Sequence, residues 1–142
     1  MIDKFEVYIK AGKVKKKVKD SVEGLSLLEK AQIRIKYLRP LNKDTSSLIL
    51  EDTYEAIREA AQALMSVRGF KPYSHEATIS FLKEFYKNQF SDYEINKFDR
   101  FRELRNNSVY KAQKIDISEA VECMEFCNVF IKKIEKVIKN EV

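Results

Sequence analysis

Apolar residues recur at steps of 3 and 4 through most of this chain, and little interrupts them: its 142 residues include 3 glycines and 2 prolines. That scarcity of breakers excludes more folds than any motif in the sequence. Sandwiches, barrels and doubly wound sheets need frequent turns, and turns draw on glycine and proline. Few breakers with abundant Lys, Glu, Leu, Ile and Ala predict long helices joined by short loops. The expected fold is all-α, an antiparallel up-and-down bundle of four long helices plus a shorter one. The length suits a single domain over residues 1–142 with a real core.

The apolar spacing places the helices. Val18, Val22, Leu25, Leu28, Ala31, Ile35 and Leu38 predict a first long helix over 13–39 with one buried face, stopped by Pro40. Leu50, Tyr54, Ile57, Ala61 and Leu64 carry the face of a second, over 47–68. Ala56, Ala60, Ala61 and Ala63 let a neighbour approach it closely, Gly69 caps it, and Pro72 lies just beyond. A third helix over 74–88 starts at the N-cap Ser74 and turns Ile79, Leu82, Phe85 and Tyr86 inward. A fourth, over 91–110, opens on a capping box of Ser91 and Glu94. The fifth starts at Asp116, again with a glutamate three residues on. Its two apolar strips, Ala120, Met124, Cys127, Ile131, Ile134 and Ile138 beside Cys123, Phe126, Phe130 and Val137, suggest burial on two sides. Residues 1–12 read as either a short helix or an arm packed on the bundle.

The formal net charge of +5 favours a polyanion without demanding one. Lys10, Lys13, Lys15, Lys16, Lys17 and Lys19 fall in ten residues that hold no acid. Lys15, Lys16, Lys17 and Lys19 are candidates for contact with nucleic-acid phosphates, and the plainer alternative is a solvated helix start. Cys123 and Cys127 have core spacing rather than metal-ligand spacing, and one histidine cannot complete a zinc site, so no metal or cofactor is expected. The first 20 residues lack an apolar run, and no stretch approaches the ~20 apolar residues of a membrane span. These features are those of a cytoplasmic protein with no membrane partner.

Common catalytic signatures are absent: there is no Gly-rich phosphate loop, no G-x-S-x-G elbow and no H-E-x-x-H. One constellation stands out. Phe98, Phe101, Arg105 and Val109 share a helix face, so Arg105 stands where a leucine is expected. A charge there either snorkels from the core edge or meets an anion. Asn106 and Tyr110, four apart, add an amide and a phenol on a neighbouring face. In the structural alternative, Arg105 caps late carbonyls of its helix and Tyr110 buries its ring. His75, the one histidine, follows the N-cap Ser74 and is a candidate neutral base or RNA contact, or else fixes its loop by a local hydrogen bond. Tyr37, Tyr54, Tyr73, Tyr86 and Tyr93 fit core positions with a polar tip, or stacking platforms for bases.

Arg105-Asn106-Asn107-Ser108-Val109-Tyr110 resembles the signature of the HEPN superfamily, the higher-eukaryote and prokaryote nucleotide-binding helical domains. That signature is an Arg, then a polar residue that is often Asn, then a His four to six residues after the Arg. Here Tyr110 occupies the usual histidine position. The runs Tyr54–Ala60, Ala63–Met65 and Gly69–Glu76 are similar to the second helix and following loop of small prokaryotic members, and Ser118–Ile131 to their last helix. The likeness covers about residues 15–138.

The resemblance implies a five-helix bundle that pairs as a homodimer, with the two motifs near a shared cleft. Active members are metal-independent RNases, often toxins, whose usual partner is a minimal nucleotidyltransferase antitoxin; others only bind nucleotides, RNA or proteins. It implies site roles for Arg105, Asn106 and Tyr110, in binding RNA or nucleotide or in its cleavage. Some such nucleotidyltransferases modify a tyrosine that normally lies just beyond the histidine. Cleavage needs a base for the 2′-OH and a cation for the phosphorane. An arginine fork suits the second task. A tyrosine, with an unperturbed pKa of roughly 10, suits the first poorly. The expectation is therefore weak RNase activity or none.

Overall fold

A computed structural model describes all of residues 1–142. Its centre is α3 (Ser46–Arg68), the helix with the most continuous buried surface. Leu50, Tyr54, Ile57, Ala61 and Leu64 are fully buried, as their spacing predicts. Burial of each large aliphatic side chain contributes about 1.5–3 kcal/mol. The small Ala56, Ala60, Ala61 and Ala63 are buried too, so neighbours close in on several sides. Those neighbours are α2 (Ser21–Lys36), α4 (His75–Phe85), α5 (Asp92–Lys111) and α6 (Ile117–Glu141). The result is the all-α bundle of four long helices and a shorter one. No helix is long and apolar enough to cross a membrane.

The predicted first helix is the main correction. It starts at Ser21, not near Lys13, because the Asp20 side chain caps it by accepting from the Glu23 N–H at 2.9 Å. Residues Val14–Lys16 instead form a strand, β1, antiparallel to β2 (Phe70–Pro72). Gly69 makes this pairing possible: its left-handed φ of 87° turns the chain out of α3, and its carbonyl accepts from the Lys17 N–H at 2.9 Å. The buried face of α2 matches the expected one at Leu28 and Ala31 and departs from it at the N-terminal end. Gly24, Leu28 and Ala31 face α3, while Val18, Val22 and Leu25 are exposed. Close approach decides this. A Cβ on Gly24 would lie 2.6 Å from the Val67 side chain and 3.0 Å from the Ala63 carbonyl oxygen. At this end of α2 only a glycine fits against α3. The crossing is pinned by the buried Glu59, whose carboxylate accepts from Arg34 at 2.9 and 3.2 Å.

Residues 5–10 do form a short helix, α1 (Phe5–Lys10), which packs on α4. Phe5 is buried with its ring against Phe70, Phe81 and Phe85, and its N–H donates to Glu84 at 2.8 Å. Helix α4 ends at Phe85, short of the predicted 88, and Phe85 stays partly exposed at the edge of that cluster. Both predicted capping boxes are present, at Ser91–Glu94 and Asp116–Glu119. On α6 both strips are largely covered but incompletely: Cys123, Cys127, Phe130, Ile131, Ile134 and Ile138 are buried, whereas Met124, Phe126 and Val137 are half-buried.

Candidate functional site

Three helices bring the site together. In α5, Phe98 and Phe101 are fully buried and fix the helix's rotation. One turn on, Arg105 and Asn106 are half-buried, and Tyr110 is 74% exposed at the rim. The end of α5 is held firmly. Ser108 donates to Glu51 of α3 at 2.7 Å, and the next loop is anchored by the buried Ile115, whose carbonyl accepts from Ser46 at 2.6 Å. Ala112 ends the helix in the left-handed region at φ 52°, a conformation that costs a non-glycine residue about 1 kcal/mol or more.

Helix α4 supplies His75. The Ser74 hydroxyl caps the helix by accepting from the Ala77 N–H at 3.0 Å, which makes His75 the first helical residue. Its Nδ1 lies 3.0 Å from the hydroxyl of Tyr54 on α3, with the two rings stacked at 5.6 Å. Tyr54 is buried, and Phe98 meets its ring edge-on at 5.9 Å. The ring's other nitrogen, Nε2, makes no hydrogen bond within the protein. His75 thus shares one shallow depression of about 210 Å³ with Glu76, Arg102, Arg105, Asn106 and Tyr110.

The arginines around it are not equivalent. Arg58 is held by Glu55 and Gln62. Arg102 is held by Asp99 at 2.8 Å, with Glu103 and Glu76 just under 4 Å away. Arg105 has no carboxylate in ion-pair range: it donates to the Asn106 side-chain oxygen at 3.1 Å and lies 5.7 Å from the Tyr110 ring centre. It therefore does not cap helix carbonyls, and Tyr110 does not bury its ring.

Burial, reinforced by the positive charge of Arg58, Arg105 and Arg102, pushes the His75 pKa down to about 4, with Glu55 opposing. The ring is neutral at pH 7. Burial also pushes the Tyr54 phenol well above its ordinary value, so it keeps its proton. If Tyr54 donates to Nδ1, Nε2 carries a hydrogen for an acceptor oxygen; if Nδ1 donates to Tyr54, Nε2 is a free base.

This depressed pKa has a stability consequence. A histidine with a lower pKa folded than unfolded binds more protons in the unfolded chain between the two values. Its contribution is complete above the unfolded value near 6.5 and is lost as pH falls toward 4. Discounted for partial exposure of the ring, the loss is on the order of 1–2 kcal/mol. Urea unfolding at pH 7 and pH 4.5 measures it. His75→Gln is expected to remove that part of the pH dependence.

Sequence reasoning missed Arg102 as part of this site. Its i, i+3 spacing to Arg105 was the usable signal. Tyr54 read as core with a polar tip or as a stacking platform; its ring is core, and its hydroxyl lies 3.0 Å from His75 Nδ1. The predicted lysines do not line the depression. Lys17 is tied to Glu23 at 3.0 Å and to Ser66, Lys16 and Lys19 are exposed, and Lys15 lies over the ring of Tyr73. Cys123 and Cys127 are unpaired thiols in the core. No protein-family model and no curated protein matches the chain.

Proposed function

We propose that this chain is a HEPN-type helical protein that binds a phosphate of RNA or of a nucleotide at Arg105, Asn106, His75 and Tyr110, with weak or no metal-independent RNase activity. The observation that carries this reading is the lone guanidinium of Arg105: among three clustered arginines it has no acid, and it opens onto the depression beside a neutral histidine. Its planar fork offers paired donors to two phosphate oxygens. The Asn106 amide orients that fork. His75 offers a further nitrogen, and the Tyr110 ring gives a base or ribose a surface at the rim. Cleavage is slow on this reading because an imidazole of such low pKa is a weak base for a 2′-OH.

The test is an end-labelled, mixed-sequence single-stranded RNA in EDTA, read for binding by anisotropy and for cleavage on a gel. Saturable binding with little or no cleavage is expected. Absence of binding at low salt refutes the reading, and rapid cleavage refutes its assignment of weak activity.

A second reading is supported by a different surface. Val22, Leu25, Ile33 and Tyr37 are exposed along one side of α2 and just beyond its end, and this apolar stripe has no partner in the monomer. It suits a non-catalytic, homodimeric interaction partner of a minimal nucleotidyltransferase, whereas a toxin–antitoxin or defence-type pair goes with the first reading. Size-exclusion chromatography with such an enzyme decides it: co-elution as one complex supports it, and separate elution counts against it.

A further inference from the structure

The β-ribbon was invisible in the sequence, and it gives the lysine run a shape. Register pairs Val14 with Pro72 and Lys15 with Lys71. Val14 is buried, so its side of the ribbon faces the bundle. By alternation Lys15 and Lys71 lie on the outward side. Tyr73 follows on that side, and its N–H donates to the Lys13 carbonyl at 2.7 Å, which holds it against the ribbon end. The Tyr73 ring is 53% exposed, and the ammonium groups of Lys15 and Lys71 lie 5.6 and 5.7 Å from its centre. Like charges directly opposite each other in an antiparallel pair are destabilising. Neither lysine has an acid within ion-pair range to offset this, nor does Lys13. The ribbon thus carries an exposed aromatic ring beside two unneutralised cations.

We propose that this outward face, Tyr73 with Lys15 and Lys71, is a second subsite for single-stranded RNA, which takes the nucleotide adjacent to the one held at Arg105. It rests on the phosphate-binding reading of that pocket and extends it. Tyr73 precedes His75 by two residues, at most about 7 Å of extended chain. With His75 on the wall of the Arg105 depression, a strand with one phosphate at Arg105 would place a neighbouring base on the Tyr73 ring. Stacking on an exposed ring tolerates any base, and flanking lysines neutralise the phosphates on either side. The site is thereby indifferent to sequence and sensitive to length and salt.

The test compares a mononucleotide with an eight-nucleotide single-stranded RNA, titrated against wild type, Tyr73→Ala, Tyr73→Phe, the double variant Lys15→Ala with Lys71→Ala, and Arg105→Ala. Circular dichroism checks that each variant is folded. Wild type is expected to bind the octamer more tightly than the mononucleotide. Tyr73→Ala is expected to weaken octamer binding roughly ten-fold and to leave the mononucleotide unchanged, while Tyr73→Phe retains both. The double lysine variant is expected to lower the salt slope of octamer binding by about 1.4. Ribbon variants that bind the octamer as tightly as wild type overturn the subsite. Arg105→Ala separates the two ideas, since unchanged mononucleotide affinity in that variant overturns the pocket reading instead.

Discussion

Arg105→Ala is expected to weaken binding of a mononucleotide roughly 30- to 150-fold while leaving the melting temperature nearly unchanged. The two halves of this prediction have one cause. Arg105 forms no ion pair, and its one hydrogen bond runs to the adjacent Asn106, so its removal strands no buried acid. The protein loses little that holds it together. The ligand loses charge-assisted hydrogen bonds to its phosphate, worth about 2–3 kcal/mol. Arg105→Lys is expected to recover only part of this, since a point charge cannot reproduce the fork. Arg102→Ala gives the contrast. Arg102 is bound to Asp99 and close to Glu76, so its loss disturbs the fold as well as the site. Calorimetric titration and a thermal melt on the same samples measure both quantities. Unchanged affinity in Arg105→Ala refutes the role assigned to that residue.

Phe98→Ala is expected to cost about 3–5 kcal/mol of stability, roughly 10–20 °C in melting temperature. Phe98 is fully buried, and it packs edge-on against Tyr54 of α3 and against Phe130 of α6, at 5.9 and 5.6 Å. It joins three helices at one point, so truncation leaves a cavity that none of them can close alone. The effect extends to the site, because the Tyr54 ring that Phe98 supports is the one that holds His75. The surviving folded fraction is therefore expected to bind nucleotide less tightly. Thermal denaturation followed by circular dichroism measures the first effect. A loss below about 1 kcal/mol contradicts the packing account.

The helices were legible where burial and period agree. Leu50, Tyr54, Ile57, Ala61 and Leu64 mark the face of α3 correctly because that helix is central and its apolar side must be covered. The same logic holds only in part on α2. Leu28 and Ala31 are buried as their period predicts, but Val18, Val22 and Leu25 keep the same period and stay exposed, because at that end the close crossing with α3 admits only Gly24. The ribbon escaped because three-residue strands are too short to show a period, and their pairing joins segments far apart in sequence. The site divided in the same way. Arg105, Asn106 and Tyr110 sit on one helix and could be found by spacing. His75 could be named but not placed, since its link to Tyr54 and to the arginines is made only by the packing of α3, α4 and α5.

Because the chain has a single histidine, its imidazole gives one unambiguous signal at the centre of the site. The most direct test is the pH titration of that signal by NMR, in the free protein and with saturating mononucleotide. The account predicts a midpoint near 4 in the free protein. It also predicts an upward move with ligand, because a bound phosphate offsets the arginine charges that help hold the value down. A midpoint near the ordinary 6.5 in the free protein, with no displacement on adding nucleotide, contradicts it.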